Sequence, residues 1–139
     1  MRYYLDTQTL AQYFFSLEPD CCRVRDIFED YGNTFLTSGV CVMELIHLIQ
    51  SDRIRPLKGR DPYDVTKVIE TMTRAGVDIV PANAFHLQRL SQLPLFPEHN
   101  DPNDRLIIAQ AVADRIPLIS SDLKFRLYAD CGLELVENR

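Results

Sequence analysis

Five short runs rich in aromatic and β-branched residues, at 2–5 (RYYL), 34–37 (TFLT), 77–80 (VDIV), 117–119 and 133–136, are separated from one another by longer segments with helical spacing. This alternation excludes most architectures. Strands joined through helices pair in parallel, and helices then cover the faces of the sheet. The expected fold class is therefore α/β: a central, mostly parallel twisted sheet of about five strands, flanked by helices on both faces and wound with right-handed crossovers.

The intervening segments carry their own stop and start signals. Leu10 to Leu17 suits a helix that Pro19 and Asp20 break, and Cys21 to Tyr31 has Val24, Ile27 and Phe28 at helical spacing before Gly32. Val40 to Gln50 is so apolar that a largely buried helix is expected, with Ser38 as its cap. Asp52 to Arg60 is polar and basic, a loop, and Pro62 opens a helix to about Ala75 that Gly76 ends. Asn83 to Leu90 reads as a short helix, Pro94 to Asn100 as a loop, and Leu106 to Ala113 as a second buried helix.

A chain of 139 residues suits one compact domain, residues 1–139, and 46% hydrophobic with 25% charged residues is the balance of a globular protein, not of a disordered one. No apolar run approaches the roughly 20 residues that span a bilayer, and the first fifteen residues hold an acid where a basic leader would stand, so a cytoplasmic protein is expected. Cys21, Cys22, Cys41 and Cys131 show no C-x-x-C spacing and read as free thiols, not as a zinc site or disulfide framework.

In an open parallel sheet ligands bind outside the carboxyl ends of the strands. Asp6 directly follows the first strand, and Asp122 follows the fourth after two serines. Asp104 lies in the first turn of the helix that precedes that fourth strand. Each has an ordinary alternative: Asp6 and Asp122 are good helix caps, and Asp104 favours the helix dipole, with Asp101 as N-cap and Pro102 at the first helical position. Glu44 is more telling, because it sits among Val42, Met43, Leu45 and Ile46, and glutamate is rarely buried without a partner. Its ordinary alternative is a boundary residue that reaches solvent or pairs with an arginine.

Four strings, YYLDTQTL, SGVCVMELIHL, HNDPNDRLIIAQA and PLISSDLKF, occur in this order across nearly the whole chain. Together they resemble a PIN domain of the VapC toxin kind. The resemblance implies a single nuclease domain whose catalytic and metal-binding cluster is Asp6, Glu44, Asp104 and Asp122, with Ser120 as a secondary polar residue. Asn103 departs from the pattern, since relatives usually place an aromatic or apolar residue there.

Four converging carboxylates would repel one another by about 3 kcal/mol per pair at about 5 Å and an effective dielectric of about 20, so such a site asks for a cation. All-oxygen ligation suits Mg2+ or Mn2+ and argues against zinc; His47, three residues after Glu44, is expected to be packing or surface. The resemblance implies endoribonuclease action leaving a 5′-phosphate and a 3′-hydroxyl, on tRNA, rRNA or mRNA, together with a cognate antitoxin and a homodimer.

The net charge of −5 opposes RNA binding at first sight, but setting the four carboxylates aside leaves only −1. Arg53, Arg55, Lys58, Arg60 and Arg105 are candidate phosphate contacts, the alternative being a solvated basic loop, and Tyr13 and Phe14 could stack on bases, although aromatic residues at helical spacing are more often core. A haloacid-dehalogenase-type phosphatase would need an acid where Gln8 stands, Lys124 is misplaced for a receiver domain, and phosphate-binding glycine loops are absent. The remaining rival is a non-catalytic PIN-like module that binds a protein or RNA partner; loss of an acid would mark it, and none is lost.

Overall fold

A computed structural model describes residues 1–54 and 63–139 of the chain. Strand β1 (Arg2–Leu5) leads into α1 (Thr7–Phe14) and α2 (Cys22–Glu29), then β2 (Thr34–Ser38) and α3 (Gly39–Gln50). A 3-10 turn, Val65–Lys67, runs into α4 (Val68–Arg74), followed by β3 (Val77–Val80), α5 (Ala84–Gln92) and α6 (Pro102–Asp114). Strand β4 (Leu118–Ser120), a 3-10 helix Leu123–Cys131 and β5 (Leu135–Glu137) complete the described elements.

The strands form one sheet in the order β3-β2-β1-β4-β5, and every pair is parallel. The α/β expectation is met. From β1 the chain winds outward to β2 and β3, then returns to lay β4 on the opposite side of β1. The winding direction therefore reverses between β1 and β4, and the helices that follow these two strands leave in opposite directions and open a crevice at their carboxyl ends.

Burial holds these strands in place. Tyr4, Leu5, Leu118 and Ile119 are fully buried at the centre of the sheet, and Leu10, Leu45, Met72, Ile107 and Ile108 close over them. Each such side chain contributes roughly 1.5–3 kcal/mol. Helix α6 buries every residue from Ile107 to Val112, as its apolar run predicts, because α5, α3, β2 and the 3-10 helix Leu123–Cys131 all pack on it.

Helix α3 departs from expectation. Only Cys41, Val42 and Leu45 are buried, and Met43 is 54% exposed. It packs on α1 and α6, which leaves its other face open in spite of the apolar composition. Tyr13 and Phe14 take the packing alternative: Tyr13 lies on Phe28 and Phe35 at ring distances of 5.0 and 4.8 Å, and Phe14 on Phe15 and Tyr63. Their rings belong to the packing and not to a base-stacking surface. The expected loop and helix start over 55–62 lie outside the described residues, and with them Arg55, Lys58 and Arg60.

Candidate active site

The first carboxylate is placed by the end of β1. Asp6 is the N-cap of α1; its Oδ1 accepts the Thr9 N–H at 2.9 Å, and its Oδ2 accepts the Ser120 hydroxyl. Both oxygens are thus engaged, and the residue is buried. Burial nevertheless pushes its carboxyl above the ordinary range, and the nearby Asp122 charge pushes the same way, against the hydrogen bonds from Ser120 and Thr9.

Ser120, the last residue of β4, links two of the acids. While its hydroxyl donates to Asp6, it accepts the Asp122 N–H at 3.1 Å. Asp122 in turn caps the following 3-10 helix, its Oδ1 accepting the Lys124 N–H at 2.9 Å. The capping role and a place in the cluster coexist in both Asp6 and Asp122.

Asp104 enters from the start of α6. The Asp101 carboxylate caps that helix, accepting the Asn103 and Asp104 N–H groups at 2.8 and 3.1 Å. Burial holds the Asp104 carboxyl up at about 6, with the Asp101 charge next in weight and Glu44 adding to it; His99 opposes the shift. Glu44, half-buried on α3, is oriented by α1, because the Thr7 hydroxyl donates to its Oε2 at 2.9 Å.

These interactions chain the acids together along the crevice. Asp6 senses Asp122, Asp104 senses Glu44, and the buried Cys41 thiol, pushed up to about 12 chiefly by burial, senses both Asp6 and Glu44. Among the described residues, a grouping close enough to hold a metal ion draws in a residue outside the expected four. One ligand atom each from His99, Asp104 and Asp122 lies within 4.8 Å of the others.

His99 and Thr7 are the site residues that reading the sequence missed. The histidine is 5% exposed, with Nδ1 2.8 Å from the Tyr128 hydroxyl and Nε2 3.3 Å from Asp104 Oδ2. The donors at this edge are therefore not all oxygen. A signal was present in the string HNDPND, where a histidine stands just ahead of the helix cap.

The basic residues divide. Arg53 shares an open cleft beside Glu44 with Met43, His47, Leu48 and Asn103. Arg105 is engaged within the fold: its Nη2 donates to the Leu93 and Pro94 carbonyls at 3.1 and 3.4 Å and braces the loop ahead of His99. On the other flank, Arg139 lines a second cleft with Gln8, Asp20, Ser121 and Asp122.

A sheet with its winding reversed beside two carboxylates, joined by a third from the next helix, has a counterpart among known families. The sequence profile of the PIN domain matches residues 3–130. The chain belongs to the PIN domain family.

This PIN domain shares its fold with solved structures at low identity. A chain of VapBC2 from Rickettsia felis, bound to a DNA fragment from the promoter, superposes with a TM-score of 0.68 at 18% identity, covering 99% of this chain and 98% of the other. VapBC-1 from nontypeable Haemophilus influenzae gives 0.67 at 19%, with the same coverage of 99% and 98%. DNA-bound VapBC from Salmonella typhimurium gives 0.65 at 16%, covering 100% and 99%. Sequence comparison with curated proteins finds no match. Among the described residues no helix is long and apolar enough to cross a membrane, and the four cysteines are free.

Proposed function

We propose that this PIN domain is a divalent-metal-dependent endoribonuclease that hydrolyses RNA phosphodiester bonds, with Asp6, Glu44, Asp104 and Asp122 as its catalytic carboxylates. The observation that carries this reading is the gathering of these acids at the β1/β4 crevice, with the Asp6 and Asp104 carboxyls both raised by burial and by neighbouring negative charge. Such groups lack compensating charge, and a hard divalent cation is the partner that would supply it.

The donor chemistry fits Mg2+ or Mn2+. Asp104 and Asp122 would hold the ion, and when bound it would neutralise charge on the phosphate oxygens and acidify a water. The protein's own part is positioning. Ser120 fixes Asp6 and the Asp122 backbone together, Thr7 turns Glu44, and Asp101 sets the start of α6 so that Asp104 faces the others. Arg53 and Arg139, in clefts on opposite flanks, are placed to hold phosphates on either side of the cluster.

The VapBC likeness supports a toxin role with a cognate antitoxin as protein partner; we further infer, from the family resemblance alone, a homodimeric assembly and a cytoplasmic setting. The test is cleavage of a mixed tRNA and ribosomal RNA pool with magnesium, manganese or chelator, comparing wild type with Asp6→Asn. Metal-dependent fragments lost in the variant are the expected result. Undiminished cutting by Asp6→Asn would sink the site assignment, and no cutting by wild type would leave a binding module.

A further inference from the structure

We propose that His99 is a direct nitrogen ligand of the bound ion, completing a His99–Asp104–Asp122 site that prefers manganese to magnesium. The inference rests on the metal-dependent reading above and deepens it by naming a ligand and the ion it selects.

The two ring nitrogens of His99 have different partners. The Tyr128 hydroxyl donates to the His99 carbonyl at 3.3 Å, and it lies 2.8 Å from His99 Nδ1. A hydroxyl can accept as well as donate, so with its hydrogen on the carbonyl it takes Nδ1–H, and the tautomer whose lone pair lies on Nε2 is open to this ring. Nε2 lies 3.3 Å from Asp104 Oδ2, with Asp122 in the same group of atoms within 4.8 Å, so in that tautomer a nitrogen and two carboxylates stand together without a hydrogen between them. A cation there would take the place of the hydrogen that otherwise joins Nε2 to Asp104.

His99 is also held as metal-ligating histidines are held, with the nitrogen away from the ion engaged in a hydrogen bond that fixes the ring. Its imidazole packs edge-on against Phe125 and Tyr128 at centroid distances of 5.3 and 5.4 Å and is almost completely buried. His86, equally buried beside a carboxylate, has the opposite arrangement. Its Nδ1 accepts the Asn83 N–H at 3.2 Å, so Nε2 carries the hydrogen and donates it to Asp114 at 2.8 Å, a closed pair with nothing left for a ligand.

The consequence concerns the choice of ion. Magnesium takes oxygen ligands and sheds water reluctantly, whereas an imidazole nitrogen favours first-row transition ions. Two carboxylates with one nitrogen therefore shift the preference toward Mn2+.

The experiment titrates the full chain with Mn2+ alone, followed by electron paramagnetic resonance with detection of nitrogen hyperfine modulation. Wild type and His47→Gln should show modulation from a histidine nitrogen, and His99→Gln should lose it along with about tenfold in Mn2+ affinity, while Mg2+ affinity changes little. Because His99 is buried, wild type grown with heavy-nitrogen histidine provides the same readout without a substitution, by changing the modulation frequency. Failure to bind Mn2+, binding without nitrogen modulation, or modulation that survives His99→Gln would overturn the assignment. Nitrogen ligation without RNA cleavage would keep this site and remove the nuclease; metal-dependent cleavage without nitrogen ligation would do the reverse.

Discussion

Replacing Asp104 with asparagine should make the metal-free protein more stable. Its carboxyl is held at about 6 against an ordinary 3.8, so between those values the folded chain binds more protons than the unfolded one. Stability therefore falls as pH rises through that window, and the whole penalty is present above about pH 6. At about 1.4 kcal/mol for each pH unit the penalty is about 3 kcal/mol. The side chain is 36% exposed, and screening by solvent reduces that to about 1–2 kcal/mol. For 139 residues at about 2.1 cal/mol/K each, Asp104→Asn should raise the melting temperature by about 3–7 °C near neutral pH. The assay is thermal unfolding by circular dichroism in chelator, repeated at about pH 3.5, where the wild-type carboxyl is protonated and the gain should vanish. No gain near pH 7, or an equal gain at both values, would refute the reasoning.

Three further outcomes follow from the geometry. Ser120→Ala removes the hydroxyl that joins Asp6 to the Asp122 backbone, and should cost about 1–3 kcal/mol in urea unfolding along with most RNA cleavage; a stable variant with full activity would show that Asp6 needs no such hold. Glu44→Gln keeps an acceptor for Thr7, so its unfolding curve should overlay wild type while Mn2+ affinity and cleavage fall. Asp114→Ala strands the Tyr4 hydroxyl and His86, and should destabilise by about 2–4 kcal/mol in denaturant. Because Asp114 lies roughly 15 Å along α6 from Asp104, cleavage by the fraction that remains folded should be unchanged.

Local rules carried the reading far where they applied. Ser38, Asp101 and Asn83 were visible as helix starts from residue type and spacing, and all three cap as their positions suggest. Asp6 and Asp122 were legible because a strand ends one or two residues before them. What escaped depends on contacts between distant segments. His99 reaches the acids only because Tyr128, 29 residues later, fixes its ring, and no spacing rule encodes that. Arg105 resembled a free cation until the loop at Leu93 and Pro94 offered it carbonyls, and the apolar α3 resembled a core helix because composition does not state how many neighbours a helix has.

The reversal of winding at β1 and β4 also sets an order of events. The Asp6–Ser120 bond spans 114 residues, and β4 pairs with β1 across all the intervening crossovers. Contacts so distant in sequence close late, since the loop entropy must be met before they repay it. On a ribosome, a nascent chain that has exposed Asp6, Glu44 and Asp104 still lacks the strand that brings Asp122 to them. Under the proposed RNA cleavage, a chain built this way would gain activity only once nearly all of its sequence has emerged, a latency that comes from strand order alone.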